Sequence, residues 1–161
     1  LDVLKRMGAG ISFEHCRDTT GETMGDIRIQ GTHLTGTTIQ GDEIPSLIDE
    51  LPILAVAASR AEGRTIIRDA RELRVKEADR IKAMINGFAA LGVSVEELDD
   101  GMIINGPLAP RPGRIQTASD HRIAMSFAVL AKALNIDIHL DDTACVDISY
   151  PGFFKDLARL A

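Results

Sequence analysis

The segment from Arg71 to Arg80 (RELRVKEADR) gathers groups that can bind anions and move protons. Val75, Ile81, Met84, Ile85, Phe88 and Leu91 recur at three- and four-residue spacing, which predicts a helix over 75–91 with one apolar stripe. On that helix Glu77 and Arg80 fall on the stripe and Lys76 on its border, while Asp79, Lys82 and Asn86 face solvent. A charge on a buried helix face is costly unless it is paired or bound to something. A helix start also offers free N–H groups and a positive dipole end, which suit an anion. The plainer alternative, a set of surface ion pairs on an amphipathic helix, fits the spacing but not the placement on the stripe.

Two other helix starts carry charge. Asp49 and Glu50 precede the apolar run 52–58, and Asp120, His121 and Arg122 open the run 123–134. Asp49 fits an N-cap as well as a site residue, because Pro52 marks a first turn. Asp120 reads as a cap before a catalyst, and His121 alone as a structural histidine. Arg122 is harder to dismiss, since a guanidinium cannot shed its proton to enter an interior. If the helices run parallel inside the protein, Asp49, Lys76, Glu77, Arg80, His121 and Arg122 meet at one end. Three fixed cations would clamp phosphate or carboxylate groups, and two carboxylates would carry protons. Glu77, between two cations, would have a proton affinity that depends on bound anion.

The elements that must position these residues follow from pattern and punctuation. A helix end over 1–7 leads to a strand over 11–16, a polar turn over 18–25, a strand over 26–30 and a short strand over 37–40. A helix over 52–61 ends at Gly63, followed by a strand over 64–68, the charged helix, and a hairpin of 93–98 with 102–105 turning at Asp99, Asp100 and Gly101. A loop with Pro107, Pro110 and Pro112 precedes a helix over about 120–134, a strand over 136–140 and a helix over about 151–160. The order repeats with a unit of roughly 70–85 residues, which predicts two subdomain units, about 1–80 and 81–161, of one partial lobe. The runs 52–58 and 123–134 are apolar nearly all round, so both helices should be buried with strands outside them. A chain that opens at Leu1 within a helical stripe is expected to be a piece of a longer protein.

The 161 residues carry a net charge of −6, with 45% hydrophobic and 26% charged residues. That balance fits a globular protein and argues against a nucleic-acid partner, whose footprint would be basic. No apolar run is long enough to cross a membrane and no secretory pattern is present, so the expected location is cytoplasmic. Cys16 and Cys145 lack metal or disulfide spacing and read as two reduced thiols; neither a metal nor a cofactor is expected.

The run Glu72–Ile81 (ELRVKEADRI) resembles one signature of the EPSP synthase (3-phosphoshikimate 1-carboxyvinyltransferase) family. Asp120–Phe127 (DHRIAMSF) is similar to its second signature, Ile48 and Asp49 to its catalytic aspartate region, and Ser149–Leu157 (SYPGFFKDL) to its ending. The resemblance runs in order along essentially the whole chain. The related UDP-N-acetylglucosamine enolpyruvyl transferases lack the Arg-Val-Lys-Glu run and have Leu where His121 stands, so they match less well.

The resemblance implies an α/β (α+β) fold: an inside-out α/β barrel of repeated units, with buried parallel helices and outer mixed β-sheets, in one lobe of a two-lobe enzyme. It implies transfer of the enolpyruvyl group of phosphoenolpyruvate to the 5-hydroxyl of shikimate 3-phosphate, with release of phosphate and no cofactor. Asp49 would contact the shikimate hydroxyls and accept a proton. Lys76 would bind shikimate 3-phosphate, Glu77 would handle protons at the phosphoenolpyruvate methylene, and Arg80, Arg122 and His121 would bind phosphoenolpyruvate. The partner needed to complete the site is the N-terminal lobe of the same enzyme, and this chain alone should be inactive. Two departures stand out: some members have Asn where Glu72 stands, and many have a phosphate-binding lysine where Ile148 stands. Rival readings are an aminosugar enolpyruvyl transferase fragment and a non-catalytic anion-binding module.

Overall fold

The computed structural model describes residues 1–160. A short helix α1 (Asp2–Arg6) leads into the hairpin β1 (Gly10–Thr19) and β2 (Glu22–Gln30). After β3 (Thr38–Ile39), the turn α2 (Ile44–Leu47) and a 3-10 turn over Ile48–Glu50 bring the chain to α3 (Leu51–Arg60). β4 (Gly63–Ile67) and a 3-10 turn over Arg71–Val75 precede α4 (Arg80–Ala90). The chain continues through β5 (Glu96–Leu98), β6 (Gly101–Gly106), β7 (Gly113–Ile115), α5 (His121–Leu134), β8 (Ile138–Leu140) and α6 (Phe153–Arg159).

Helices α3 and α5 form the inner layer, as their apolar sequences require. On α3, Leu51, Pro52, Leu54, Ala55, Val56, Ala58 and Ser59 are buried. On α5, Ile123, Ala124, Ser126, Phe127, Ala128 and Leu130 are buried. Their starts meet where Arg122 reaches the Asp49 carbonyl, and their ends share one surface cleft lined by Arg60 and Leu134. The two helices therefore run parallel. Helix α4 lies against α5 through Phe88 and Phe127, whose rings meet edge-on at 5.5 Å. Gly87 makes that contact possible, because a Cβ there would overlap the Phe127 ring.

The sheets lie outside the helices. The central one has strand order β3-β4-β6-β5, with β3 and β4 parallel and β4, β6 and β5 antiparallel. Strands β7 and β8 form a parallel pair. The hairpin β1–β2 stands apart as a two-stranded arm on which Phe13, Ile27 and Ile29 are exposed. This is the inside-out α/β arrangement anticipated from the two apolar helices.

Several local expectations change. The first hairpin turns at Thr20 and Gly21, both at positive φ (50° and 88°), rather than over 18–25. Two successive residues at positive φ make a tight turn that matches strand twist, so the strands extend to the tip. Strand β7 has no counterpart in the sequence reading, because three residues after a Pro-rich loop give too little alternation to detect. The largest change is at the charged helix. It begins at Arg80, not at 75; Arg71–Val75 forms a 3-10 turn and Lys76 is extended (φ −77°, ψ −156°). Val75 is 80% exposed and belongs to no apolar stripe. The start is fixed by Asp79, an N-cap whose Oδ1 accepts the Lys82 amide at 2.9 Å.

Candidate active site

The starts of α3, α4 and α5 converge on Arg80. Its side chain is 1% exposed and every guanidinium nitrogen is engaged. Nε donates to Asp120 Oδ2 at 2.7 Å, Nη1 to Asp49 Oδ1 at 2.9 Å, and Nη2 to Glu77 Oε2 at 2.6 Å. Burial alone would lower the Arg80 pKa; the hydrogen bond and charge of Asp120, with the Asp49 hydrogen bond and the Glu77 charge, together outweigh it and raise the pKa above the ordinary value.

Asp120 is the buried anchor of this group. Its side chain is 0% exposed, and its two oxygens divide the work. Oδ1 caps α5 by accepting the Arg122 and Ile123 amides at 2.8 and 3.3 Å, while Oδ2 holds Arg80. Sequence pattern identified the cap but not the ion pair; the missed signal was that Asp120 directly precedes His121 and Arg122 at a start meeting two others. Among the described residues, no buried side-chain nitrogen or oxygen lacks a partner. The amides that a free helix start would offer an anion are thus partly taken by Asp79 and Asp120, which corrects the expectation of open N–H groups.

Asp49 faces outward from the same junction and is 45% exposed. It does not cap α3: that place falls to Glu50, whose side chain makes no capping bond. Burial would raise the Asp49 pKa, but the Arg80 hydrogen bond and the charges of Arg122 and Lys76 prevail and hold it below the ordinary carboxylate range. Lys76 Nζ lies 2.6 Å from Glu72 and 3.8 Å from Asp49, and the Glu72 hydrogen bond raises its pKa. Arg122 Nη1 donates to the Asp49 carbonyl and to Glu50 Oε1, both at 2.8 Å, and Nη2 lies 3.9 Å from Asp49 Oδ2. A cleft of about 170 Å³ opens here, lined in part by Asp49, Glu50, Arg122, Ser126 and Phe153.

Asp49, Lys76, Glu77, Arg80 and Arg122 are therefore brought together. His121 is half-buried beside them at the first position of α5 and makes no side-chain hydrogen bond with the described residues. Ile148 is 81% exposed on the turn before α6. The charge count also shifts: Glu50, Glu72 and Asp120 join Asp49 and Glu77, so five carboxylates meet three cations. A larger groove of about 710 Å³ runs beside α4, lined in part by Lys82, Asn86, Arg114, Gln116 and Asp141, and includes none of the expected site residues. Among the described residues, no group of three or more His, Cys, Asp or Glu is arranged to hold a metal ion, and no helix is long and apolar enough to cross a membrane.

Inner parallel helices, outer sheets and a charged junction of helix starts define an inside-out α/β chain. The solved enolpyruvyl transferase NikO from Streptomyces tendae shares this fold, with a TM-score of 0.62 at 21% identity over 99% of this chain and 34% of its own. A closer likeness is to EPSP synthase from Acinetobacter baumannii, with a TM-score of 0.85 and 38% identity over 98% of this chain and 37% of that one. The family model for EPSP synthase (3-phosphoshikimate 1-carboxyvinyltransferase) matches residues 1–157, and the chain belongs to that family. It is 47% identical over 158 residues to the 3-phosphoshikimate 1-carboxyvinyltransferase of Sulfurihydrogenibium sp. (strain YO3AOP1), covering 98% of this chain and 37% of the relative. With that of Desulforamulus reducens it shares 49% over 154 residues, covering 95% and 36%. The chain thus spans little more than a third of the length of these relatives.

Proposed function

We propose that this chain forms part of an enzyme that transfers the enolpyruvyl group of phosphoenolpyruvate to the 5-hydroxyl of shikimate 3-phosphate and releases phosphate. The observation that supports it best is the junction where Arg80, Arg122 and Lys76 surround Asp49. The adduct of these substrates carries both phosphate and carboxylate, so it needs fixed cations around it and groups to take up and return protons.

In this reading Arg80, Arg122 and His121 bind phosphoenolpyruvate, and Lys76 binds shikimate 3-phosphate. Asp49 contacts the shikimate hydroxyls and accepts the hydroxyl proton, and Glu77 handles protons at the methylene carbon. The carboxylates now holding the cations act as stand-ins for substrate anions. Arriving phosphate and carboxylate groups would exchange with Glu50 at Arg122 and Glu72 at Lys76. Neutralising those cations would raise the proton affinity of Asp49, which favours its role as acceptor. The other wall of the site comes from the N-terminal lobe of the same protein, and closure of the two lobes excludes water. The protein needs neither cofactor nor nucleic acid nor membrane and works in the cytoplasm. The two halves of the chain, about 1–80 and 81–161, are read as two repeated units of one lobe.

The test joins this chain to the rest of the relatives' length and follows phosphate release from the two substrates. Turnover is expected from the joined protein and none from the chain alone. Turnover by the isolated chain, or none by the joined protein, would overturn the proposal.

A further inference from the structure

The structure assigns to Arg74 the role of positioning residue for Lys76, Glu77 and Arg80: it clamps the segment that carries them to the β5–β6 turn and to the cap of α4. The assignment rests on the function proposed above and goes beyond the six residues given substrate roles there.

All three guanidinium nitrogens of Arg74 are engaged, with four acceptors among them. Nε donates to the Asp99 carbonyl at 2.7 Å, and Nη1 to Asp79 Oδ2 at 2.9 Å. Nη2 donates to the Leu98 carbonyl at 2.7 Å and to Glu97 Oε1 at 3.0 Å. One side chain therefore joins its own 3-10 turn, the start of α4 and the β5–β6 turn. Other bonds brace the same place: the Ala70 amide donates to the Asp100 carbonyl, the Asp69 amide to Asp100 Oδ2, and Lys82 Nζ to Glu97 Oε2.

The consequence falls on Lys76, Glu77 and Ala78, which lie between Arg74 and Asp79. None of the three makes a backbone–backbone hydrogen bond with another element among the described residues. Apart from the side-chain pairs of Lys76 with Glu72 and Asp49 and of Glu77 with Arg80, the span is held at its ends, and Arg74 holds both at once, one through its own backbone and one through Asp79. A span fixed at both ends has few conformations; released at one end it samples many. Arg74 donates to none of Asp49, Glu77 or Asp120, so it acts on the site only through position. Lysine could not replace it, because a single ammonium cannot meet four acceptors spread around a planar fork.

The test uses the full-length protein that carries this chain, with phosphoenolpyruvate and shikimate 3-phosphate as substrates. Arg74→Gln is expected to lower kcat by about 10- to 100-fold, the scale of an ångström-sized misplacement, with KM for both substrates changed less than about threefold. Arg74→Lys should not restore kcat. Arg60→Gln, which removes a contact to the Leu108 carbonyl at the far end of α3, should leave both parameters within about twofold. Amide hydrogen exchange should quicken at 76–78 in Arg74→Gln while α3 and α5 stay protected; a merely structural role would loosen all three. A folded Arg74→Gln variant with unchanged kcat and unchanged exchange at 76–78 overturns the assignment while leaving the proposed function intact. If that variant does not fold, Glu97→Gln decides instead, with a drop in kcat of about threefold expected and no drop overturning the assignment. No turnover by the unmodified protein overturns the proposed function itself, and the exchange pattern then still reads the clamp.

Discussion

Arg74 and Arg80 stand six residues apart, and each has all three guanidinium nitrogens engaged, yet their surroundings differ in kind. Two of the four acceptors of Arg74 are backbone carbonyls, and its side chain is 23% exposed. All three acceptors of Arg80 are carboxylates, and its side chain is 1% exposed. A carbonyl in a β-turn cannot leave without the turn, whereas a half-exposed carboxylate such as Asp49 or Glu77 can swing away and give its place to a ligand. The charge balance agrees. Around Arg74, two cations (Arg74, Lys82) meet two carboxylates (Asp79, Glu97), whereas around Arg80 five carboxylates compete for three cations. Arg74 fastens a backbone turn; Arg80 is held by one buried carboxylate, Asp120, and by two half-exposed ones that can exchange.

The contrast can be broken most forcefully at Arg80. Arg80→Met leaves Asp120 buried without its cation, which should cost about 3–5 kcal/mol in urea unfolding of the chain. In the full-length protein the same change should lower turnover by at least the 10²- to 10³-fold typical of losing one transition-state donor. A loss no greater than that of Arg74→Gln would erase the distinction between the two arginines.

Acid sharpens the comparison further. Asp49 and Glu97 both have folded pKa values below the ordinary ones, Asp49 because Arg80, Arg122 and Lys76 outweigh its burial, Glu97 chiefly through its hydrogen bond from Lys82 and also that from Arg74. A depressed carboxylate pKa contributes stability that is fully present above the unfolded value, about 4, and is lost as pH falls through the folded value. The urea midpoint should therefore hold from pH 7 to about pH 5 and drop below about pH 4. Asp49→Asn and Glu97→Gln should each flatten that drop, and an unchanged acid profile in either variant would remove its cluster from the account.

The smallest effect belongs to Lys82→Ala, which breaks only the half-exposed pair with Glu97. About 0.5 kcal/mol or less is expected, reduced further in high salt. A larger loss would mean that Lys82 shares in the clamp that Arg74 dominates.

The legible part of this molecule was the part governed by periodicity. The all-round apolar runs gave α3 and α5 and their burial, and the charges before them gave the junction. What the sequence hid was set by partners distant along the chain. Nothing near Arg71–Val75 signals a 3-10 turn, because the reason the helix waits until Arg80 lies partly in Glu97, Leu98 and Asp99. Asp120 read correctly as a cap, and only its 40-residue reach to Arg80 makes it an ion-pair anchor. The pairs of Glu50 with Arg122 and of Glu72 with Lys76 are hidden for the same reason: each carboxylate finds its cation through the fold or a turn that pattern does not predict.

The missing side chain at Gly87 carries a mechanical meaning. Helix α4 rests on the Phe127 ring at that point, and Arg80 lies seven residues nearer its start, about 10 Å away at 1.5 Å per residue. Gly87 works as the fulcrum of a lever whose short arm ends at Arg80. Any side chain added there must push the two helices apart, and the displacement would be delivered to the pair of Arg80 with Asp120. A substitution that touches no charged group could thus detune the site from two helical turns away.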